Sequence, residues 1–226
     1  MGIAENVIEI QREMDQTSLK CKRNPEMVTL IGVTKNITAD KASQAVRAGI
    51  LDLGENRVQE LQNKHPLIQG VRWHFIGHLQ SNKVKYIIDK VHLIHSLDRW
   101  SLALEIDRRA REINRVVPVL IQVNVANEAT KFGLEVQETY DFVTEVSGLK
   151  GISVQGLMTI APFVEDPEEV RPVFKQLKDL SGHLKNIPGV QMEQLSMGMT
   201  NDYRVAIEEG STMVRIGTAI FGYRDY

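Results

Sequence analysis

Apolar side chains recur along this chain in two alternating rhythms. Ile3, Val7, Ile10 and Met14 fall four, three and four positions apart, which makes one stripe of a helix. Asn24-Pro25 marks the latest point at which that helix can end, because the residue before a proline avoids the α region. Val28 to Lys35 (VTLIGVTK) is short and rich in β-branched residues and predicts a buried strand. A helix over Asp40 to Arg47 then stops at Gly49, and Leu51 to Leu53 makes a second strand. Val58 to Lys64 predicts a short helix closed by His65-Pro66. Trp73 to Ile76 predicts a third strand, and a short helix follows Asn82. Val91 to His95 is a fourth strand, Trp100 to Ile113 a long helix, and Pro118 to Val125 (PVLIQVNV) the clearest strand of all. Glu135 to Val146 returns to helix, and Ile152 to Ile160 is a sixth strand. Asp166 can cap the next helix, Pro167 suits its first turn, and Glu168 and Glu169 favour the positive end of its dipole. Val170, Val173, Phe174, Leu177, Leu180 and Leu184 repeat at helical spacing until Asn186 to Gly189 stops them. Gln191 to Ser196 predicts a seventh strand, Asn201 to Glu208 a helix ended by Gly210, and Thr212 to Phe221 the eighth strand.

Strands that alternate with helices pair in parallel, because parallel neighbours need a crossover. Eight such units predict a (β/α)8 barrel preceded by one extra N-terminal helix. The competing arrangement is an open doubly wound sheet, but no GxGxxG follows the first strand. No Gly/Ser/Pro-rich linker interrupts the chain, so residues 1–226 are expected to form a single domain. The closing segment Phe221 to Tyr226 is short and aromatic and is expected to fold against the barrel.

Composition narrows the classes of function. With 226 residues, 42% hydrophobic and 25% charged, the chain has the make-up of a globular protein. A net charge of −2 argues against a strongly basic nucleic-acid binder. Arg108, Arg109, Arg111 and Arg115 read as a solvated helix face. The one cysteine, Cys21, excludes an intramolecular disulfide and a multi-cysteine zinc site and fits a reducing, cytoplasmic setting. No apolar run approaches the ~18 residues of a membrane span. Glu5, Glu9, Arg12, Glu13 and Asp15 stand where a signal peptide would be apolar.

In a barrel of this kind the active site lies at the C-terminal ends of the strands. The residues that end the predicted strands are Lys35, Asn56, His78, Ser96, Asn124, Met158, the stretch Ser196 to Thr200, and Arg215 with Gly217-Thr218. A lysine held at an apolar strand end can lose its proton and attack a carbonyl; the alternative is a lysine that has simply reached solvent. Gly198, Thr200, Gly217 and Thr218 follow strands seven and eight, where barrels build phosphate sites from backbone N–H groups. Thr200 is expected to cap the helix that begins near Asn201, although ordinary turns use the same residue types. Arg215 shares a strand face with Gly217, so its side chain is expected in the same mouth. Lysine, arginine and an anion cradle together suit a phosphorylated carbonyl compound, either pyridoxal phosphate or a sugar phosphate. His74 and His78 span a strand and its exit rather than a helix, which argues against a metal pair.

Several segments resemble one family. Val33-Thr34-Lys35, Gly54-Glu55-Asn56 through Glu60, WHFIGHLQSNK from Trp73 to Lys83, Gly156-Leu157-Met158, Leu195 to Met199, and Val214 to Gly222 are similar to the YggS-like pyridoxal phosphate homeostasis proteins, also called the PROSC family. The resemblance implies a fold-type III barrel like that of bacterial alanine racemase, with pyridoxal 5'-phosphate held as a Schiff base on Lys35. It implies Arg215 near the pyridine nitrogen, and the phosphate on Thr200, Gly217 and Thr218 with Ser196 to Met199 nearby. Asn56, His78 and Met158 would line the mouth. The chain departs from the family pattern at Asn36-Ile37, where a proline often follows the lysine, and at His78, where many members carry proline.

An arginine beside the pyridine nitrogen disfavours its protonation and weakens the ring as an electron sink. Racemisation also needs two proton carriers, one on each face of the amino acid. Alanine racemase-like enzymes take the second, a tyrosine, from another domain. The chain ends at Tyr226, directly after strand eight, so a second domain is not expected, and Tyr86, Tyr140, Tyr203, Tyr223 and Tyr226 offer no clear substitute. The expectation is therefore a monomeric protein that binds pyridoxal phosphate, buffers it or delivers it to dependent apoenzymes, and maintains vitamin B6 and amino-acid balance without robust catalysis. No metal, nucleic-acid or membrane partner is expected. The alternatives are a racemase of low activity and a Schiff-base aldolase.

Overall fold

The computed structural model describes residues 2–128 and 130–222. In chain order the elements are α1 (Ile3–Lys20), β1 (Thr29–Val33), α2 (Ala39–Arg47), β2 (Asp52–Glu55), α3 (Val58–Lys64), β3 (Arg72–Phe75), β4 (Leu93–Leu97), α4 (Trp100–Glu112), β5 (Val117–Gln122), α5 (Thr139–Ser147), β6 (Ile152–Met158), α6 (Arg171–Leu184), β7 (Gln194–Met199), α7 (Tyr203–Glu208), β8 (Met213–Ile216) and α8 (Thr218–Phe221). A 3-10 turn at Ser81–Tyr86 replaces a full helix between β3 and β4. Each strand pairs in parallel with the next, and β8 returns to β1 from Thr29↔Met213 to Gly32↔Ile216. The sheet is thus a closed (β/α)8 barrel rather than an open doubly wound sheet.

The apolar stripe of α1 buries Val7, Ile10 and Met14, and the helix lies across α2, α7 and α8. The main core fills the space between the barrel and its helices. Inside the barrel the packing is mixed. Ile31, Leu93, Leu120, Met158 and Met213 form a small apolar cluster. Buried beside it is a string of polar side chains, Asp52, His74, His95, Ser196 and Arg215.

Three expectations change. The eighth strand ends at Ile216 rather than at Phe221, and Thr218–Phe221 is a helix. The reason lies in the neighbour: Ile216 pairs with Gly32, and β1 leaves the sheet after Val33, so a longer β8 would have no ladder partner on that side. The stretch from Glu135 opens as a 3-10 turn (Val136–Glu138) before α5. Arg108, Arg109 and Arg111 do pair along α4 with Glu105, Glu112 and Asp107, but Arg115 turns inward to donate to the carbonyls of Ile88 and Val91. Of the C-terminal aromatic segment, Phe221 is buried, and residues 223–226 lie outside the described residues.

Candidate functional site

The strand ends meet around a cavity of about 500 Å³, lined by Lys35, Asn56, Met199, Thr200, Arg215, Gly217 and Thr218. That volume is within the usual ~300–1,000 Å³ of small-molecule sites. Lys35 stands two residues beyond β1, in a turn rather than on the strand, and its amine has no hydrogen-bond partner among the described residues. Asn56 follows β2 directly. The end of β3 passes close to it, so a Cβ on Gly77 would lie 2.3 Å from the Asn56 carbonyl oxygen, and only glycine fits there.

Five of the expected residues sit elsewhere: Ser96 is buried within β4, Asn124 lines a separate cavity and donates to the Glu128 carbonyl, and Ser196, Met158 and His78 also leave the cavity wall. Ser196 is buried under Arg215 rather than on the cavity wall. Met158 belongs to the apolar cluster inside the barrel, because the inward-facing positions of β6 place it below the mouth. His78 stacks on Phe132 with ring centroids 3.9 Å apart, and lines a neighbouring cavity that shares Asn56.

Arg215 is fully buried. Its Nη1 donates to Ser196 Oγ at 2.6 Å and its Nη2 to the Thr159 carbonyl at 2.9 Å. Among the described residues no carboxylate lies within ion-pair distance of it. Burial therefore lowers its pKa to about 10, against the attraction of Asp202, and the guanidinium stays charged at neutral pH. The string continues from Ser196 Oγ to His95 Nδ1 (2.9 Å), from His95 Nε2 to His74 Nδ1 (2.9 Å), and from His74 Nε2 to Asp52 Oδ1 (2.9 Å). Burial, then the nearby His74 and Arg215, push the His95 pKa well below its ordinary value. With His95 neutral and arginine a donor only, one direction gives each hydrogen a home. Ser196 accepts from Arg215 and donates to His95, His95 donates to His74, and His74 donates to Asp52. The reverse direction leaves the Ser196 hydroxyl without an acceptor among the described residues. At the far end, burial alone would raise the Asp52 carboxyl, but hydrogen bonds from Arg72 and His74 outweigh it and hold the pKa at about 2.

The opposite wall of the cavity is backbone. Thr200 does not cap α7: Asp202 occupies that N-cap position, and its carboxylate accepts from Met199 N at 2.6 Å. Thr200 Oγ1 instead accepts from Ala219 N at 3.5 Å, at the start of α8. The N–H groups of Gly217 and Thr218 have no acceptor among the described residues. They are the orphan donors of a helix start, and both residues line the mouth. Gly198 takes φ +97 at the register shift within β7, and a Cβ there would meet Ala206 Cβ at 2.7 Å. The whole wall thus offers N–H and O–H donors to an anion.

The sequence pattern had not singled out Asp202, Thr159, His95, or the rim residues Ile160, Pro162 and Phe163. His95 was within reach, since period-two alternation puts it on the same face as Leu93. Asp202 carried an N-cap signature, but Thr200 is the same type of residue two positions earlier. Phe163 is 87% exposed at the rim. Its loop is tied to the anion wall by Asn201 Nδ2, which donates to the Val164 carbonyl.

Residues 10–225 match the alanine racemase N-terminal domain family. A pyridoxal phosphate homeostasis protein of Aquifex aeolicus (strain VF5) is 42% identical over 228 residues, covering 100% of both chains. The structure of PipY from Synechococcus elongatus PCC7942 with PLP bound superposes with a TM-score of 0.85 at 34% identity, covering 97% of this chain and 100% of that one. Alanine racemase from Corynebacterium glutamicum shares the fold at a TM-score of 0.77 and 13% identity, with 98% of this chain matched to 62% of that one. With a barrel and a full-length sequence match in common, the chain belongs to the alanine racemase N-terminal domain family and, within it, to the pyridoxal phosphate homeostasis proteins.

Proposed function

We propose that this chain binds pyridoxal 5'-phosphate in the barrel mouth and buffers it or delivers it to dependent apoenzymes, so maintaining the supply of vitamin B6. The observation that carries the reading is the donor set of one cavity: a single amine, Lys35, faces a wall of unpaired N–H groups at Gly217 and Thr218 with the Thr200 hydroxyl, above the buried Arg215. An anionic phosphate suits the wall, and a carbonyl suits the amine. Bound pyridoxal phosphate supplies an electrophilic carbonyl carbon and an electron-withdrawing ring. Lys35 would be the covalent anchor. Gly217, Thr218 and Thr200 would hold the phosphate, Met199 and Asn56 would line the rest of the pocket, and Ser196 holds Arg215 in place. Arg215 is a fixed cation and disfavours a second positive charge on any ligand nitrogen that faces it.

The same lining supports binding over turnover. Among the described residues of the cavity, only Asp202 accompanies Lys35 as a group that exchanges protons, and its carboxylate is engaged by Met199 N. Tyr86 and Tyr140 are exposed elsewhere, and Tyr203 donates to Glu13. A second proton carrier for racemisation is not among them. The protein is proposed to act as a single-domain monomer in the cytoplasm; no described helix is long and apolar enough to cross a membrane.

The test is a visible absorption spectrum of the purified protein before and after borohydride, with peptide mapping of the reduced adduct. A coloured protein labelled at Lys35 is the expected result. A colourless protein that takes no label with added pyridoxal phosphate would put a sugar-phosphate aldolase first. Steady amino-acid racemisation that vanishes in Lys35→Ala would make the protein an enzyme.

A further inference from the structure

Lys35 sits in a four-residue turn closed by Ile37 N donating to the Thr34 carbonyl at 2.9 Å. Asn36 takes φ +59 in that turn, the left-handed region that asparagine tolerates better than other side-chain-bearing residues. A buried charge cluster packs behind the turn. Lys64, the last residue of α3, is buried. Its Nζ donates to the Thr34 carbonyl at 2.6 Å, to Glu55 Oε1 at 2.7 Å and to Glu60 Oε2 at 2.9 Å. The Thr34 hydroxyl donates to the same Glu55 oxygen at 2.6 Å, and Glu60 Oε2 accepts from Asn36 N at 2.7 Å.

The consequence concerns the two peptide planes that flank the Lys35 Cα. The plane before it carries the Thr34 carbonyl, held by Lys64 directly. The plane after it carries the Asn36 N–H, held by Lys64 through Glu60. One ammonium therefore sets both backbone dihedrals of Lys35, and with them the direction in which its side chain leaves the turn.

None of Thr34, Glu55, Glu60 and Lys64 lines the mouth cavity, so the cluster touches no ligand there. It is also a poor way to gain stability. Desolvating an ammonium and two carboxylates costs about as much as their attraction returns, and Glu55 Oε2 is buried with no hydrogen-bond partner among the described residues. What such a cluster does achieve is one fixed geometry.

We propose that Lys64, together with Glu55 and Glu60, is the positioning device for Lys35: it aims the Lys35 amine into the mouth and thereby sets how fast that amine condenses with an aldehyde, its nitrogen bonding to the carbonyl carbon as one water leaves. The inference rests on Lys35 being the covalent anchor. Its test uses the full chain and two variants, Lys64→Met, which removes all three donations, and Glu60→Ala, which frees the Asn36 amide, removes one of the three Lys64 donations and keeps Lys64 on Glu55 and the Thr34 carbonyl.

The first readout needs no ligand. Amide hydrogen exchange at Asn36 is expected to be about tenfold faster in both variants, with the amides of β5 unchanged. The second is the rate of absorbance change on mixing with pyridoxal phosphate, expected to fall roughly 10- to 100-fold in Lys64→Met. A smaller fall is expected in Glu60→Ala. Should Lys64→Met fail to fold, Glu60→Ala carries both readouts. Wild-type exchange and wild-type rates in a folded variant, with borohydride label still on Lys35, would overturn the positioning role alone. A wild-type chain that takes no label on Lys35 would overturn the anchor reading, and this inference with it.

Discussion

A charged arginine with no carboxylate partner is an expensive residue to bury, and Arg215 shows what that expense secures. Its two donations, to Ser196 and to Thr159, fix the guanidinium at the floor of the mouth. Arg215→Met keeps an unbranched apolar stem and removes the guanidinium with its charge. Its thermal stability is expected to stay within about 1 kcal/mol of wild type or to exceed it, since a hydrophobic replacement often costs nothing at a buried ionic site. Its affinity for pyridoxal phosphate, followed by absorbance titration, is expected to fall. Instability together with full binding would contradict this assignment. His95 gives a pH dependence of definite sign. Its pKa in the folded protein lies well below the ordinary 6.5, so the unfolded chain binds the proton first. The stability it lends is fully present above about pH 6.5 and is lost as pH falls from there toward the depressed folded value. Urea midpoints from pH 7.5 to 5 should decline in wild type and decline less in His95→Gln.

At the scale of elements, the ends of β7 and β8 matter most. Gly198 sits at positive φ at the irregularity in β7, and Thr200, which belongs to the anion wall, follows two residues later. Gly198→Ala adds a Cβ at 2.7 Å from Ala206 Cβ and 3.0 Å from Tyr203 Cα. A cost of about 1–3 kcal/mol is expected from strain and overpacking, read from urea denaturation. Phosphate competition for the site should weaken in parallel, because Thr200 moves with that backbone. The α1 helix is fastened to the same region. Glu13 accepts from the Tyr203 hydroxyl and from Arg204 Nη2, and burial followed by the Glu13 hydrogen bond raises the Tyr203 pKa to about 12. The N-terminal helix is thus a brace for α7, which begins where the anion wall ends.

For the whole molecule, closure of the barrel converts separate strand ends into one site. It also puts a polar string through the interior, from Asp52 and Arg72 at the strand starts to Arg215 at the mouth. Ligand that binds only the folded barrel raises its stability by mass action, about 2.7 kcal/mol at a hundredfold excess over Kd. Wild-type melting temperature should therefore climb with pyridoxal phosphate concentration. Lys35→Ala, which keeps the anion wall but lacks the amine, should show a smaller rise. An equal rise in both would mean that the amine adds nothing to affinity.

Much of this was legible in the residues taken in order. Helix stripes, β-branched runs and glycine stops are local, so the alternation of elements and the barrel could be read from them, down to the bounds of the helix from Val58 to Lys64. The run from Thr212 misled because β-branched composition signals a strand whether or not a partner exists. Only the departure of β1 after Val33 decided where β8 ended. The mouth residues were legible because strand ends face one way in a parallel barrel. Which of them reached the cavity depended on facing: Met158 and Ser196 turned inside, and His78 turned to a neighbour. The residues by themselves determined the alternation that makes the barrel, since that follows from spacing, and they offered Lys35 and the ends of strands seven and eight as candidates, which ordinary turn chemistry fits as well. Tertiary structure alone decided what holds the amine and the arginine in place. The hydrogen bonds of Lys64 to Thr34, and of His95 to Ser196 across 101 positions, exist only once closure has brought those side chains together.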